Sequence, residues 1–324
     1  MSKIEVIGLG ALNIDHIYKV ERILEDGEAV VEDAGAFPGG SAANTIYGLA
    51  KLGIRTGFAG VVGNDTEGNL LIQDFKKIGV DTSQIMVKKG EQTGSVLCLS
   101  DRSGKRSIYI MPGANNLLTA KDINLTYIEQ AKILHISSLA GDRQFQLLLD
   151  LVNELTPSVR VSFSPGEIYA EKGLKALAPI LARTYVLFIN QSEAQRLTGR
   201  DFGVGAEMCL EQGCQIVVVT LGEGKGLTND KKANALCYIR DVCNEYLVES
   251  ARRTKIPTMD TTGAGDAFAT GFLYGLSKGK GLKECGQLGD ITAQLCIGKN
   301  GARQGLPDSV QLAQRYYELY NQKL

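Results

Sequence analysis

The chain has 324 residues, with 35 Lys and Arg against 36 Asp and Glu, a formal net charge of −1. Hydrophobic residues make up 44% and charged residues 22%, which argues against global disorder and leaves no basic footprint for nucleic acid or an anionic membrane. Seven cysteines without a C-x-x-C pair and only two histidines argue against a zinc site and leave a Ser-His-Asp or Cys-His mechanism little to work with.

No apolar run reaches the ~18 residues of a membrane span. The start, MSKIEVIGLGALNID, is interrupted by Glu5 and Asp15 and does not read as a secretory signal. With the cysteines read as reduced thiols, a cytoplasmic protein is expected. The 38 glycines exceed the usual share of about 7%, so many should lie where backbone turns or approaches something closely.

In chain order, IEVIGLGAL reads as a buried strand. Residues 12–36 follow, with strand-like LNIDHIYKV and AVVEDAGAF on either side of the turn-like LEDG. SAANTIYGLAKLG is helix-like and closes at Gly53, which has the look of a C-cap. Residues 93–113 again hold two strand-like runs, TGSVLCLS and KRSIYIM, around the hairpin turn Asp101-Arg102-Ser103-Gly104. Buried strands at ILHISS, VRVSFSP, YVLFIN and IVVVTLG then alternate with helix-like DRQFQLLLDLVNELT, EKGLKALAPILART and EAQRLTG. The C-terminal third reads as helical, through GAGDAFATGFLYGLSKG and LKECGQLGDITAQLCIGKNG.

Strand–helix–strand repetition predicts an α/β fold with a doubly wound, mainly parallel, Rossmann-like sheet and helices on both faces. Residues 12–36 and 93–113 have no helix between their strands. They are predicted to form a small β-sheet lid over a core of residues 1–11, 37–92 and 114–324. The alternative is that they extend the main sheet.

The strongest chemical motif is Asp260-Thr261-Thr262-Gly263-Ala264-Gly265-Asp266-Ala267-Phe268, which leads into a small-residue helix. Small residues before a helix leave N–H groups exposed at its positive end, an anion site. Asp266 falls in the first turn, where a carboxylate can accept a hydroxyl proton while the N–H groups hold a phosphoryl group. The plain alternative is an N-cap. Gly39-Gly40 before an Ala-rich helix permits close backbone approach to a ligand or makes a simple tight turn, with Asn44 one turn in. Asn13 and Asp15 follow a buried strand, where α/β sheets open crevices; they suit vicinal hydroxyls or an Asx turn. Glu193 can orient a water of hydrated Mg²⁺ or act as a first-turn helix acid. Gly222 and Gly224 can pass under a nucleotide or form a turn. Gly8-Leu9-Gly10 hints at a dinucleotide fingerprint, but Asn13 stands where the next glycine is required, and no Walker A string occurs.

Taken in this order the motifs resemble those of the ribokinase-like (PfkB) carbohydrate and nucleoside kinases, over essentially the whole chain. Gly10-Ala11-Leu12-Asn13-Ile14-Asp15 resembles the family's opening motif, and Phe37-Pro38-Gly39-Gly40-Ser41-Ala42-Ala43-Asn44 its di-glycine motif, with Gly53 and Gly63 at the expected distances. Asn190-Gln191-Ser192-Glu193 is similar to its N-x-x-E motif, and Thr220-Leu221-Gly222-Glu223-Gly224-Lys225-Gly226 to its nucleotide loop. The resemblance implies ATP-dependent phosphorylation of a primary hydroxyl of a small sugar or nucleoside. Asp266 would be the base, with Gly263, Ala264 and Gly265 as the anion hole. It implies substrate contacts at Asn13, Asp15, Gly39, Gly40 and Asn44. Nucleotide contacts would come from Asn190, Glu193, Thr220, Gly222 and Gly224, with Mg²⁺ held near Glu193 through water. Lys299-Asn300-Gly301-Ala302 and the end of DTT resemble regions where relatives bind a monovalent cation such as K⁺. Exposed lid edges allow a homodimer.

The chain also departs from the family. Ser41 stands where ribokinases proper commonly carry Lys, which sets ribose itself in question. Ile46 and Thr270 replace small residues and read as packing variation. Ser164-Pro165-Gly166 replaces an acidic stretch, leaving one acidic contact toward phosphate or metal missing. Phe37, Tyr109 or Tyr18 can line a pocket for a base, or belong to the lid core; the reading leans to a nucleoside or another ribosyl compound. The alternative function is a catalytically weak nucleotide- or sugar-binding sensor on the same fold.

Overall fold

The computed structural model describes residues 3–101, 106–222, 235–249 and 257–324. Strands β1 (Val6–Leu9), β2 (Asn13–Val20) and β3 (Glu32–Gly39) precede helix α1 (Ser41–Lys51). They are followed by β4 (Thr56–Gly63), α2 (Thr66–Lys77), β5 (Asp81–Lys88), β6 (Gly94–Asp101), β7 (Arg106–Met111) and the one-turn α3 (Leu125–Ile128). The chain then alternates through β8 (Ile133–Ser137), α4 (Asp142–Glu154), β9 (Arg160–Ser164), α5 (Gly166–Ala170), α6 (Gly173–Leu181) and β10 (Thr184–Asn190). After α7 (Gln191–Thr198), α8 (Phe202–Glu211) and β11 (Ile216–Thr220) come β12 (Ala235–Asp241) and β13 (Glu245–Glu249). Helices α9 (Ala264–Ser277), α10 (Leu282–Cys296) and α11 (Ser309–Tyr320) close the chain.

The main sheet runs β13-β12-β11-β10-β9-β8-β1-β4-β5. Its strands from β11 to β5 pair parallel, and the antiparallel pairs are β11–β12 and β12–β13. A parallel strand covered on both faces needs apolar side chains in both directions, and the runs VIGL at β1 and IVVVT at β11 answer that need. Ile7 and Leu9 pack with Leu151, Ile180, Leu197 and Cys209 from α4, α6, α7 and α8. Val6 points the other way, into a second cluster with Ile46, Phe75, Phe272, Leu288 and Leu312 from α1, α2, α9, α10 and α11. The strand order reverses around β1, which lies between β4 and β8. Crevices outside the carboxyl ends of strands open at such a point.

The two helix-free excursions form a separate sheet of order β3-β2-β6-β7, not an extension of the main one. β2 pairs antiparallel with β3 and parallel with β6, and β6 pairs antiparallel with β7. This small sheet is the lid, and β3 carries Phe37, Pro38 and Gly39 to its end. Helix α1 ends as expected, with Gly53 N–H on Ala50 O and Ile54 N–H on Leu49 O.

The two helix-like stretches of the C-terminal third are α9 and α10, and ahead of them lies the β12–β13 hairpin, to which the sequence reading gave no element. Asp241 turns it by accepting from Cys243 N and Asn244 N at 2.7 and 2.6 Å. Helix α10 covers it at Gly286, where an added Cβ would lie 2.7 Å from Ile239 and 2.8 Å from Val248. Among the described residues no helix is long and apolar enough to cross a membrane.

Candidate active site

Asp266 is the third residue of α9, whose N-cap Gly263 has φ +75°. That backbone suits glycine, and a Cβ there would meet Ala302 Cβ at 2.4 Å. Ala264 N–H reaches Thr261 O at 3.3 Å, while the amides of Gly265 and Asp266 have no partner in the loop before the helix. Gly265 faces open space, since a Cβ would meet nothing within 4 Å. A positive helix end with free, uncovered amides is a place for an anion.

Both oxygens of Asp266 are held by the start of α1. Ser41 Oγ donates to Oδ1 at 2.7 Å, and Asn44 Nδ2 donates to Oδ2 at 2.9 Å. Burial raises the carboxyl from 3.8 to about 6, opposed by Asn44, Ser41 and Arg303. A carboxylate has about four acceptor positions, so each oxygen can still take a further hydrogen bond. Helix α1 reaches this position through Gly40, whose φ is +95° and whose added Cβ would lie 2.1 Å from the Ala11 carbonyl oxygen. That contact packs the di-glycine turn on the chain leaving β1.

The lid brings Asp15 and Asn13 over this point. Asp15 lies against Gly39, where a Cβ would meet Oδ1 at 2.2 Å. Its Oδ1 is buried without a hydrogen-bond partner. Burial raises its carboxyl from 3.8 to about 7, Arg303 opposing and Asp266 and Asp260 adding. Asn13 differs from the sequence reading, because its Oδ1 already accepts from Asn115 Nδ2 at 2.9 Å. It therefore offers its NH₂ group as a donor instead of its oxygen as an acceptor. Of the three lid aromatics only Phe37 shares the face of Asp15, being its register partner. Tyr109 stands opposite Leu97, itself opposite His16, and Tyr18 is three residues from Asp15 on β2, so both fall on the other face. Tyr18 and Tyr109 are thereby removed from the pocket lining.

The two motifs expected to bind nucleotide meet at the carboxyl ends of β10 and β11, where Asn190 and Thr220 are register partners. Gly222 follows with φ +67°; Gly224 lies outside the described residues. Glu193 and Asn190 form a capping box: Glu193 N donates to Asn190 Oδ1, and Asn190 N to Glu193 Oε2, both at 2.8 Å. Both readings of Glu193 thus survive, for one carboxylate oxygen caps α7 and the other is left over. Burial raises this carboxyl too, with Asp266 among the charges adding to the effect. A carboxylate oxygen left free in this way is the kind of ligand a hard cation takes. Among the described residues no cluster of three or more His, Cys, Asp or Glu forms a complete metal site.

Four side chains escaped sequence reasoning as site residues. Ser41 drew notice only as a departure, yet it donates to Asp266. Asp260 accepts from Thr262 N and Gly301 N, both at 2.9 Å, tying the loop before α9 to the 299–302 segment. Asn115 braces the opening motif by accepting from Leu12 N at 3.0 Å and donating to Asn13. Arg303 donates to Asn44 Oδ1 at 2.9 Å. Asn115 and Arg303 lie 102 and 259 residues from those partners, a distance at which no local pattern signals a contact.

A family model described as pfkB family carbohydrate kinase matches residues 1–309. An uncharacterized sugar kinase of Archaeoglobus fulgidus is 38% identical over 264 residues, 81% of this chain and 99% of that protein. A nucleoside kinase of Methanocaldococcus jannaschii is 26% identical over 317 residues, 97% of both chains. A protein from E. coli described as a ribokinase II, in complex with ATP and Mg²⁺, superposes with a TM-score of 0.80 at 21% identity, covering 97% of this chain and 99% of that one; the likeness is one of fold. With its ribokinase-like core and lid, this chain belongs to the PfkB family of carbohydrate kinases, phosphotransferases whose members act on sugars and nucleosides.

Proposed function

We propose that this kinase transfers the γ-phosphoryl group of ATP to a primary hydroxyl of a small sugar or nucleoside. Asp266 is the base, and the backbone of Gly263, Ala264 and Gly265 is the anion hole. One observation carries the reading: a half-buried carboxylate sits in the first turn of a helix whose free amides adjoin it. In line with a carboxyl raised to about 6, Asp266 is largely ionised at neutral pH and basic enough to take a hydroxyl proton in the transition state. The adjacent amides stabilise the negative charge of the transferring group. No covalent intermediate is needed, because phosphoryl transfer rests on positioning and charge stabilisation.

Asp15, with a buried oxygen lacking a partner, accepts from acceptor hydroxyls, and Asn13 donates to them. Gly39, Gly40 and Asn44 line the same pocket. Phe37 is the one lid aromatic available to stack on a base, which favours a nucleoside or another ribosyl compound. Kinases of this family use ATP, and the E. coli fold neighbour holds ATP with Mg²⁺. Asn190, Thr220, Gly222 and Gly224 are assigned to the nucleotide, and the free oxygen of Glu193 would hold Mg²⁺ through water. When bound, Mg²⁺ neutralises charge on the β- and γ-phosphates. The Asp260–Thr262 and 299–302 segments, joined by Gly301 N–H to Asp260 Oδ2, are assigned to a monovalent cation such as K⁺. The outer lid strand β7, with Ile108 and Tyr109 56% and 57% exposed, is the edge on which a homodimer would pair.

The test is ADP release with ATP and Mg²⁺ across a panel of sugars and nucleosides, with Asp266→Asn in parallel. The expected result is acceptor-dependent release that falls about 10²- to 10⁴-fold in the variant, with ATP affinity near wild type. Unchanged turnover in Asp266→Asn refutes the base. ATP binding with silence across the panel favours a sensor.

A further inference from the structure

Arg303 joins the lid to the support of the base. Its side chain is only 3% exposed and lies over the rings of Tyr47 and Phe75, at 5.1 and 5.2 Å from their centroids. Its fork serves three elements at once. Nη1 donates to Asp74 Oδ2 of α2 at 2.7 Å, Nη2 to the carbonyl of Gly39 at the end of β3 at 3.1 Å, and Nε to Asn44 Oδ1 of α1 at 2.9 Å. Asn44 then donates to Asp266 at 2.9 Å. An amide offers oxygen on one side and NH₂ on the other. With its oxygen taken by Arg303, Asn44 can only present NH₂ to the carboxylate.

We propose that Arg303 is a positioning residue for phosphoryl transfer, fixing the Asn44 amide against the base and tying the Gly39 end of the lid to the same amide. The inference rests on the kinase reading above, with Asp266 as base. A neutral side chain at 303 frees Asn44 to turn its oxygen toward Asp266, repelling the carboxylate. It also removes a cation from a neighbourhood of acids. The groups facing Arg303 are Asp74, Tyr47 and Asp15. Those facing Asp266, besides Arg303, are Asp15, Glu193 and Cys296. Of these groups Arg303 is the cation, so its loss makes Asp266 harder to ionise.

The experiment is the pH dependence of ADP release by the full chain, using the panel acceptor with the greatest turnover, for Arg303→Met, Arg303→Lys and Asp74→Asn. Where no acceptor turns over, the Asp266 carboxyl is titrated by ¹³C NMR, assigned with Asp266→Asn. Arg303→Met should lower kcat on the order of 10²-fold, the cost of misplacing a reacting group by about 1 Å. Its acid limb should rise by about one pH unit or more, with KM for ATP near wild type. Arg303→Lys keeps the charge but not the three-way fork, so kcat falls while the acid limb stays close to wild type. Asp74→Asn removes the counter-charge and moves the limb down. A folded Arg303→Met with the wild-type limb and kcat overturns the proposal. If that variant does not fold, Asp74→Asn decides: a downward shift supports the proposal, and an unmoved or upward one overturns it. A dead Asp266→Asn beside a normal Arg303→Met refutes this inference alone, whereas an active Asp266→Asn refutes the base assignment beneath it.

Discussion

Replacing Asp15 with Asn should make the ligand-free protein more stable at pH 8 while weakening its hold on the acceptor. The Oδ1 atom of Asp15 is buried without a partner, and burial raises the carboxyl from 3.8 to about 7. A group whose native pKa lies above its unfolded value binds its proton more tightly when folded. Its contribution to stability is therefore fully present below about pH 4 and is lost as the pH rises through about 7. At 1.36 kcal/mol for each pH unit that displacement corresponds to about 4 kcal/mol, and partial access of water to the site reduces it to about 2–4 kcal/mol. Asn matches the shape and carries no charge, so it escapes this cost. At about 2.1 cal/mol/K of unfolding entropy per residue, a chain of this length gains about 3–6 °C in Tm. Thermal unfolding of both proteins from pH 4 to 8.5 checks the argument. The gap should be widest at pH 8.5, narrow below about pH 7 and close toward pH 4. A gap independent of pH, or a variant less stable at pH 8, refutes the reasoning.

Ser41→Ala removes the 2.7 Å hydrogen bond to Asp266 Oδ1; a bond to a charged group is worth about 1.5–3 kcal/mol, so the acid limb of kcat/KM should move up by about one pH unit. Gly40→Ala places a Cβ 2.1 Å from the Ala11 carbonyl at φ +95°; it should cost about 1–3 kcal/mol or more in urea unfolding and lower kcat by shifting α1. Phe272 is fully buried, with its ring centroid 5.3 Å from that of Phe188. Phe272→Ala should therefore cost about 3–5 kcal/mol in denaturant unfolding, with KM for both substrates near wild type.

The strands at the centre of the sheet were legible because burial on both faces leaves unbroken apolar runs such as IVVVT. The β12–β13 hairpin was not: β12 has the apolar run ALCYI, but β13 offers only YLV between glutamates, and the packing of α10 at Gly286 shows what buries the pair. The lid strands were legible from two helix-free segments, yet the face each side chain takes depends on register. Pairing β2 with β3 and β6 put Phe37 beside Asp15 and turned Tyr18 and Tyr109 away.

For the site, local chemistry was written in contiguous strings. Free amides and a carboxylate at a helix start need only neighbouring residues, so DTTGAGD declares them without help from the rest of the fold. The protonation of that carboxylate is a different kind of property. It depends on burial, on Ser41 and Asn44 lying 225 and 222 residues away, and on an arginine near the end of the chain. The contiguous string was enough to set a carboxylate beside free amides at a helix start, because helix-end geometry is local. Only the tertiary structure decided how Asp266 and Asp15 are charged and aimed, because desolvation and long-range hydrogen bonds exist only once distant segments pack together.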